Sequence, residues 1–345
     1  MVETAAIMVL LVPLFRVLGG PLETSLLGET PYGRWFVALT LWVGSLSLLV
    51  DFSLSRGGRY YRAVGGLLMI MLLSFSVSGG FQFYFLFEVC LIPIRFIILV
   101  GGVRPERVAA IFYMVVYTVV GGAFHLIGLV GVRKWMGTTR FLVRDRVVPT
   151  SLGVQWFALL FFAFFVKCPL YGVHLWLPKA HVEASTSGSI ILAAVILKLG
   201  VYGIFRFRAL LARPQEWGSL WQGVGVVGGV VARLMAMRSP DLKRVVAYSS
   251  VAHMSLCVAA AATGTVVGIL GAFLLGVAHG LSSRGLFAWV GGIGERAGTR
   301  TTLAIAGLRR YGIFHLVIFV LLFMFSRGIP PFFSFPPEIF IWSSL

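Results

Sequence analysis

Eleven apolar segments, running roughly over 5–18, 35–51, 63–79, 81–102, 109–132, 154–177, 188–207, 218–237, 244–263, 266–291 and 312–345, reach or approach the ~20 residues that a helix needs to cross the hydrocarbon of a bilayer. Of the 345 residues 59% are apolar and 12% charged, and the apolar ones come in blocks that no water-soluble core of this size needs. The expected fold class is therefore an all-α integral membrane protein of about eleven transmembrane helices. The first segment is short and holds Arg16 near its end, so it must tilt, thin the bilayer or let the arginine snorkel. The N-terminus, Met1 to Gly20, carries Glu3 instead of a basic leader region and, although its apolar run with Pro13 resembles a signal sequence, reads as the first span. The last segment is long and interrupted by Pro330 and Pro331.

A net charge of +17 raises the question of nucleic acid, but the basic residues are scattered over short connections between spans and form no soluble basic face. Nucleic acid is excluded as a partner, and the lipid bilayer takes its place. With eleven crossings, the even-numbered connections hold the larger share of arginine and lysine, which puts them on the matrix or cytoplasmic side. Cys90, Cys168 and Cys257 lie in apolar blocks without the paired spacing of a zinc or iron–sulfur site and read as packing residues. No histidine spacing makes a metal site, and the chain has neither a phosphate loop nor a dinucleotide fingerprint.

The chemistry is carried by charges inside apolar runs. Of twelve carboxylates, Glu88 and Glu338 stand within long apolar stretches, and so do two lysines, Lys167 and Lys198. A charge at mid-bilayer costs about 3 kcal/mol on insertion scales, so such residues pair, face water or titrate. Glu88 is followed by Pro93 and by Arg95, about two helical turns further along the same face. Lys167 precedes Cys168 and Pro169; the proline removes a backbone donor and sets its ring against the carbonyl of Phe165, so the helix must break there. Unwound backbone at membrane depth is tolerated where protein or a water cavity surrounds it, which is also where an ammonium exchanges a proton. Lys198 has ten residues before it without another charge. One such lysine alone is as well explained by a structural salt bridge or snorkelling. Two lysines with two glutamates favour a proton relay, because burial disfavours the charged form of both group types and brings them toward exchange near neutral pH.

Among six histidines, His125, His174 and His315 have the context of packing residues, whereas His181, His253 and His279 have charged or hydroxylic neighbours. His253, in AYSSVAHMSL, and His279, in GVAHGLSS, stand equally as relay members or as satisfied core residues.

The segment VKCPLYGVHLWLPKAHVEASTSGSIILAAVILKLGVYG resembles the most characteristic stretch of the antiporter-like subunit 4 family of respiratory NADH:ubiquinone oxidoreductases, complex I. It is preceded by FYFLFEVCLIPI and RPERVAAIFYMVVYT, and followed by SPDLKRVVAYSSVAHMSL, AHGLSSRGLFAWVGGIGERAGTR and IPPFFSFPPEIF, so the resemblance covers about residues 80–345. Lys179, where bacterial members tend to carry an acid, favours the mitochondrial inner membrane over the alternative of a bacterial plasma membrane. One departure lies at Ser185, which stands where the family usually has proline and bears on the start of the following helix.

The resemblance implies two inverted repeats with broken helices: N-terminal helices over 1–62, a first repeat over 63–207, and a second over 208–345 that is incomplete at its C-terminal end. It makes Glu88 and Lys167 an interacting pair, Lys198 the central lysine and Glu338 the terminal acid; the relay read from the residues adds His253 and His279 between Lys198 and Glu338. It implies no cofactor in this chain; NADH, flavin, iron–sulfur clusters and ubiquinone would belong to partner subunits of the membrane and redox arms. The short termini imply a separate fragment or extra subunit packed beside 312–345. Two rival functions use the same residues: a stand-alone cation/proton antiporter subunit, and a structural membrane subunit that no longer pumps.

Overall fold

The computed structural model describes residues 30–52, 57–102, 105–141, 154–208, 215–299, 301–302 and 313–345. The apolar segment 5–18 lies outside them; each of the others falls on helix, and seven helices among the described residues are long and apolar enough to cross a membrane. The described residues contain no β-strand, only the isolated bridges Gly79 to Arg140 and Asp241 to Thr301.

Helices α1 (Pro31–Phe52) and α2 (Gly58–Ser76) come first. The span Gly80–Gly101 is made of α3 (Gly80–Val89) and α4 (Leu91–Gly101), joined by a turn at Cys90. Helix α5 (Arg107–Met136) ends on Gly137 at φ 72°, whose N–H closes on the carbonyl of Arg133, with Arg133 and Lys134 in the last turn where the helix dipole favours cations.

The break expected at Pro169 is present. Helix α6 (Val154–Lys167) stops at Lys167, and the N–H of Leu170 reaches past the proline to the carbonyl of Phe165 at 2.9 Å. The chain turns through Gly172, at φ 104°, before α7 (Trp176–Glu183). Ser185 then begins the next span: its hydroxyl accepts from the N–H of Gly188 at 3.1 Å, an N-cap contact that no proline makes. That span comprises α8 (Thr186–Ile191), a π-helical turn (Leu192–Ile196) and α9 (Leu197–Arg208), and it is almost wholly buried.

Helix α10 (Gln215–Arg238) is followed by α11 (Leu242–Ala262), capped by the Asp241 carboxylate on the N–H of Lys243 at 2.8 Å. Helix α12 (Val266–Ala297) is 32 residues long. The final apolar stretch is divided as its prolines require, into α13 (Ile313–Ser326) and α14 (Phe335–Ser344). The span α8–α9 is the centre of the molecule, with α1, α11 and α12 against it. At Gly280 of α12 an added Cβ would lie 3.0 Å from Leu39 and 3.4 Å from both the Ala194 carbonyl and Cε of Lys198. The bare glycine thus brings α12 directly onto the central lysine.

Candidate functional site

Lys167 ends α6 and is 1% exposed. Its ammonium meets the end of α3, donating to the carbonyl of Phe87 and to Cys90 Sγ at 3.3 Å, and standing 3.1 Å from the centroid of the Phe87 ring. Glu88 is the next residue, half-buried, with its carboxyl pressed on the Cα of Gly122 in α5, where any side chain would collide with it. The two charges are electrostatic neighbours without a direct hydrogen bond, and Glu88 Oε1 is buried with no hydrogen-bond partner among the described residues. Arg95 is exposed on α4 and makes no ion pair with Glu88 among the described residues, although the backbone stays helical through Cys90.

Lys198 is fully buried, and its ammonium donates to the carbonyl of Ala193 at 2.7 Å. That carbonyl belongs to the π-helical turn, a wider helical geometry often found at functional sites. Side chains in helices lean toward the N-terminus, so the lysine reaches back along its own span and not across to a carboxylate.

From Lys198 the polar groups continue through three further helices. Gly280, beside the lysine stem, adjoins His279, which is 3% exposed and faces His253 of α11 with ring centroids 5.4 Å apart. His253 Nδ1 is 3.9 Å from Glu338 Oε1 in α14. His279 Nε2, His253 Nδ1 and Glu338 Oε1 are buried without hydrogen-bond partners among the described residues. Leaving such an atom unpaired costs about 1–3 kcal/mol, so these groups call for partners such as ordered water. A cleft between α10, α11, α12 and α13 opens beside His253, with Arg233, Ser249, Ser326 and Arg327 as its polar lining. About 40 Å³ of it is open to water-sized molecules, more than the ~10–15 Å³ that one water needs.

The remaining histidines divide differently. His125 is fully buried and its Nδ1 meets the carbonyl of Leu160 at 2.5 Å, while His174 stacks on Tyr171 at 4.7 Å. His315 Nε2 lies 3.1 Å from Arg296. His181 is also fully buried, stacked on Phe287 at 4.5 Å. The three cysteines are free and buried. No group of three or more His, Cys, Asp or Glu able to hold a metal ion occurs among the described residues.

Sequence reasoning passed over three arginines within apolar runs. Arg233 Nη2 lies 3.8 Å from Glu338 Oε1, and Arg327 stands 4.7 Å from the Phe323 ring with its charge on the same carboxylate. Arg284 lies over Trp42 at 4.5 Å, with Nη1 buried and unpartnered among the described residues. All three were visible as charges in spans; weighing only carboxylates and lysines hid them.

Residues 80–345 match the family described as NADH:quinone oxidoreductase/Mrp antiporter, TM. The chain belongs to this family. Curated relatives named NADH-ubiquinone oxidoreductase chain 4 include that of Ceratitis capitata, 35% identical over 90% of this chain and 70% of its own length, and that of Danio rerio, 34% identical over 94% and 73%. That of Mytilus edulis is 39% identical over 76% of this chain and 61% of its own length. In fold, the chain is similar to one in respiratory complex I from Thermus thermophilus with bound NADH, with a TM-score of 0.86 at 24% identity over 99% of this chain and 76% of that one. It is also similar to a chain in the Mrp complex from Dietzia sp. DQ12-45-1b, with a TM-score of 0.80 at 21% identity over 90% and 60%. This family member is thus an antiporter-like membrane subunit, of the kind that stands in multi-subunit membrane complexes.

Proposed function

We propose that this chain translocates protons as a core membrane-arm subunit of a respiratory NADH:ubiquinone oxidoreductase in the mitochondrial inner membrane. The observation that carries the reading is the succession Lys198, His279, His253 and Glu338 across four helices, with 5.4 Å between the two histidine rings and 3.9 Å from His253 to Glu338. Redox chemistry in partner subunits, which hold the flavin, iron–sulfur clusters and ubiquinone, changes the field on Glu88. The change alters its interaction with Lys167, and a proton then moves through Lys198 and the histidines to Glu338 and out. Small energies suffice, since moving one charge through 100 mV is worth ~2.3 kcal/mol.

The division into N-terminal helices 1–62 and repeats 63–207 and 208–345 follows from this reading: the first repeat carries Glu88, Lys167 and Lys198, the second the histidines and the terminal acid. A further helix, from a fragment or an extra subunit, covers the region 312–345. It is supported by the outward apolar face of α13, where Ile313 is 71% and Phe314 73% exposed.

The test is purification from a native membrane extract, with mass-spectrometric identification of co-migrating chains and measurement of protons moved per NADH oxidised. Co-migration with NADH-oxidising subunits and NADH-driven pumping are expected. Co-migration without any contribution to pumping would leave a structural subunit; cation/proton exchange without redox partners would leave an antiporter.

A further inference from the structure

We infer that Arg233 is a positioning residue that holds Glu338 away from His253 until a proton arrives there. The inference rests on the proton path proposed above. Glu338 Oε1 is 3.8 Å from Arg233 Nη2 and 3.9 Å from His253 Nδ1, beyond hydrogen-bond distance from both. One carboxylate oxygen therefore has two competing donors, and closing either gap takes a displacement of under ~1 Å. The charges around it are Arg233 from α10, His253 from α11 with His279 of α12 behind it, and Arg327 after α13.

With His253 neutral, Arg233 and Arg327 are the two cations that act on the Glu338 carboxyl. A proton reaching His253 makes a third cation around the same group, and one of the three must withdraw. His253 is enclosed, with its side chain 5% exposed, and Arg327 is seated on the Phe323 ring. Arg233 is 39% exposed and lines the cleft beside His253, so it is the one with somewhere to go. Its withdrawal lets Glu338 close on the imidazolium and take the proton: the His253 N–H bond breaks, the Glu338 O–H bond forms, and the histidine returns to neutral. Arg233 then swings back and drives the proton off the carboxyl toward the cleft. Gly328 fits this role, because at φ 68° its backbone runs against the Glu338 carboxyl, where a Cβ would lie 2.6 Å from Oε2. That contact restricts the carboxyl to small movements between its two donors.

The test is Arg233→Cys in assembled membranes, modified with a cationic or a neutral methanethiosulfonate of similar size. Cys90, Cys168 and Cys257 are buried, and the parent protein treated in parallel corrects for other subunits. Because charge is added after assembly, a folding defect does not enter the comparison. The cationic adduct should restore the parent pH profile of protons moved per NADH, and the neutral adduct should leave it displaced by about one unit, as expected for losing an opposite charge at this range. Identical profiles for the two adducts would overturn the inference. So would an effect of Arg233→Gln that persists undiminished on a Glu338→Gln background, since Arg233 acts only through that carboxylate. Parent-like pumping by Glu338→Gln itself would instead overturn the path on which the inference rests.

Discussion

Replacing Lys198 separates the energetic role of the central lysine from its chemical one. Its side chain is fully buried and its ammonium makes one hydrogen bond, to the Ala193 carbonyl at 2.7 Å. Lys198→Ala removes three buried methylenes, worth about 2.4 kcal/mol at ~0.8 kcal/mol each, and opens a void between α9 and α12. Lys198→Met keeps that volume. It gives up a charge-assisted hydrogen bond of about 1.5–3 kcal/mol but also relieves the desolvation of a buried ammonium, which costs several kcal/mol, so the fold is unchanged or slightly stabilised. The alanine variant should therefore show lowered complex abundance on native gels while the methionine variant assembles like the parent. Both should lose most NADH-driven acidification in sealed vesicles, measured as protons moved per NADH, because α9 carries no second lysine, histidine or carboxylate to take the place of Lys198. A normal proton yield from assembled Lys198→Met would refute the relay.

Glu88 and Lys167 should be coupled: the double replacement Glu88→Gln with Lys167→Met is expected to disturb assembly by less than the sum of the single changes, with an interaction of about 0.5–3 kcal/mol, and strictly additive abundances would show that they act independently. Ser185 bonds Tyr60 at 2.9 Å and caps α8, with Ser187 joining Tyr60 at 2.7 Å, so Ser185→Ala should cost about 1–2 kcal/mol in thermal stability of the solubilised complex. Ser185→Pro should cost less, since the residue already sits at φ -58° after an extended Ala184, and a larger loss than for alanine would contradict that backbone argument. A photoreactive residue placed at Phe314, 73% exposed on α13, should crosslink to another polypeptide in the assembled membrane; adducts to lipid alone would remove the covering helix from the account.

The helical spans were legible because apolar length is a strong local signal, and so was the break after Lys167, because Pro169 dictates it sterically. The π-helical turn before Lys198 was not, since Leu192–Ile196 is apolar throughout and carries no residue that distinguishes a π turn from an α turn. At the site, the charges could be found as chemical oddities within spans, but their grouping depends on long-range packing. Nothing in the sequence puts His253 against His279, or either beside Glu338; a close approach at Gly280 and the return of α14 onto α12 do that. The same limit applies to Arg95, whose spacing from Glu88 fits one helical face but whose exposed side chain makes no ion pair with it among the described residues. Arg233 was visible as a charge within a span, but only its distance to Glu338 sets it apart.

The central claim is that protons cross through this chain and leave at Glu338. Its most direct test is the number of protons moved per NADH oxidised in sealed vesicles carrying Glu338→Gln, compared with the parent and with Arg95→Gln, an exposed charge outside the path. The account predicts a reduced proton yield for Glu338→Gln and a parent yield for Arg95→Gln. An undiminished yield for Glu338→Gln in fully assembled complex would contradict it.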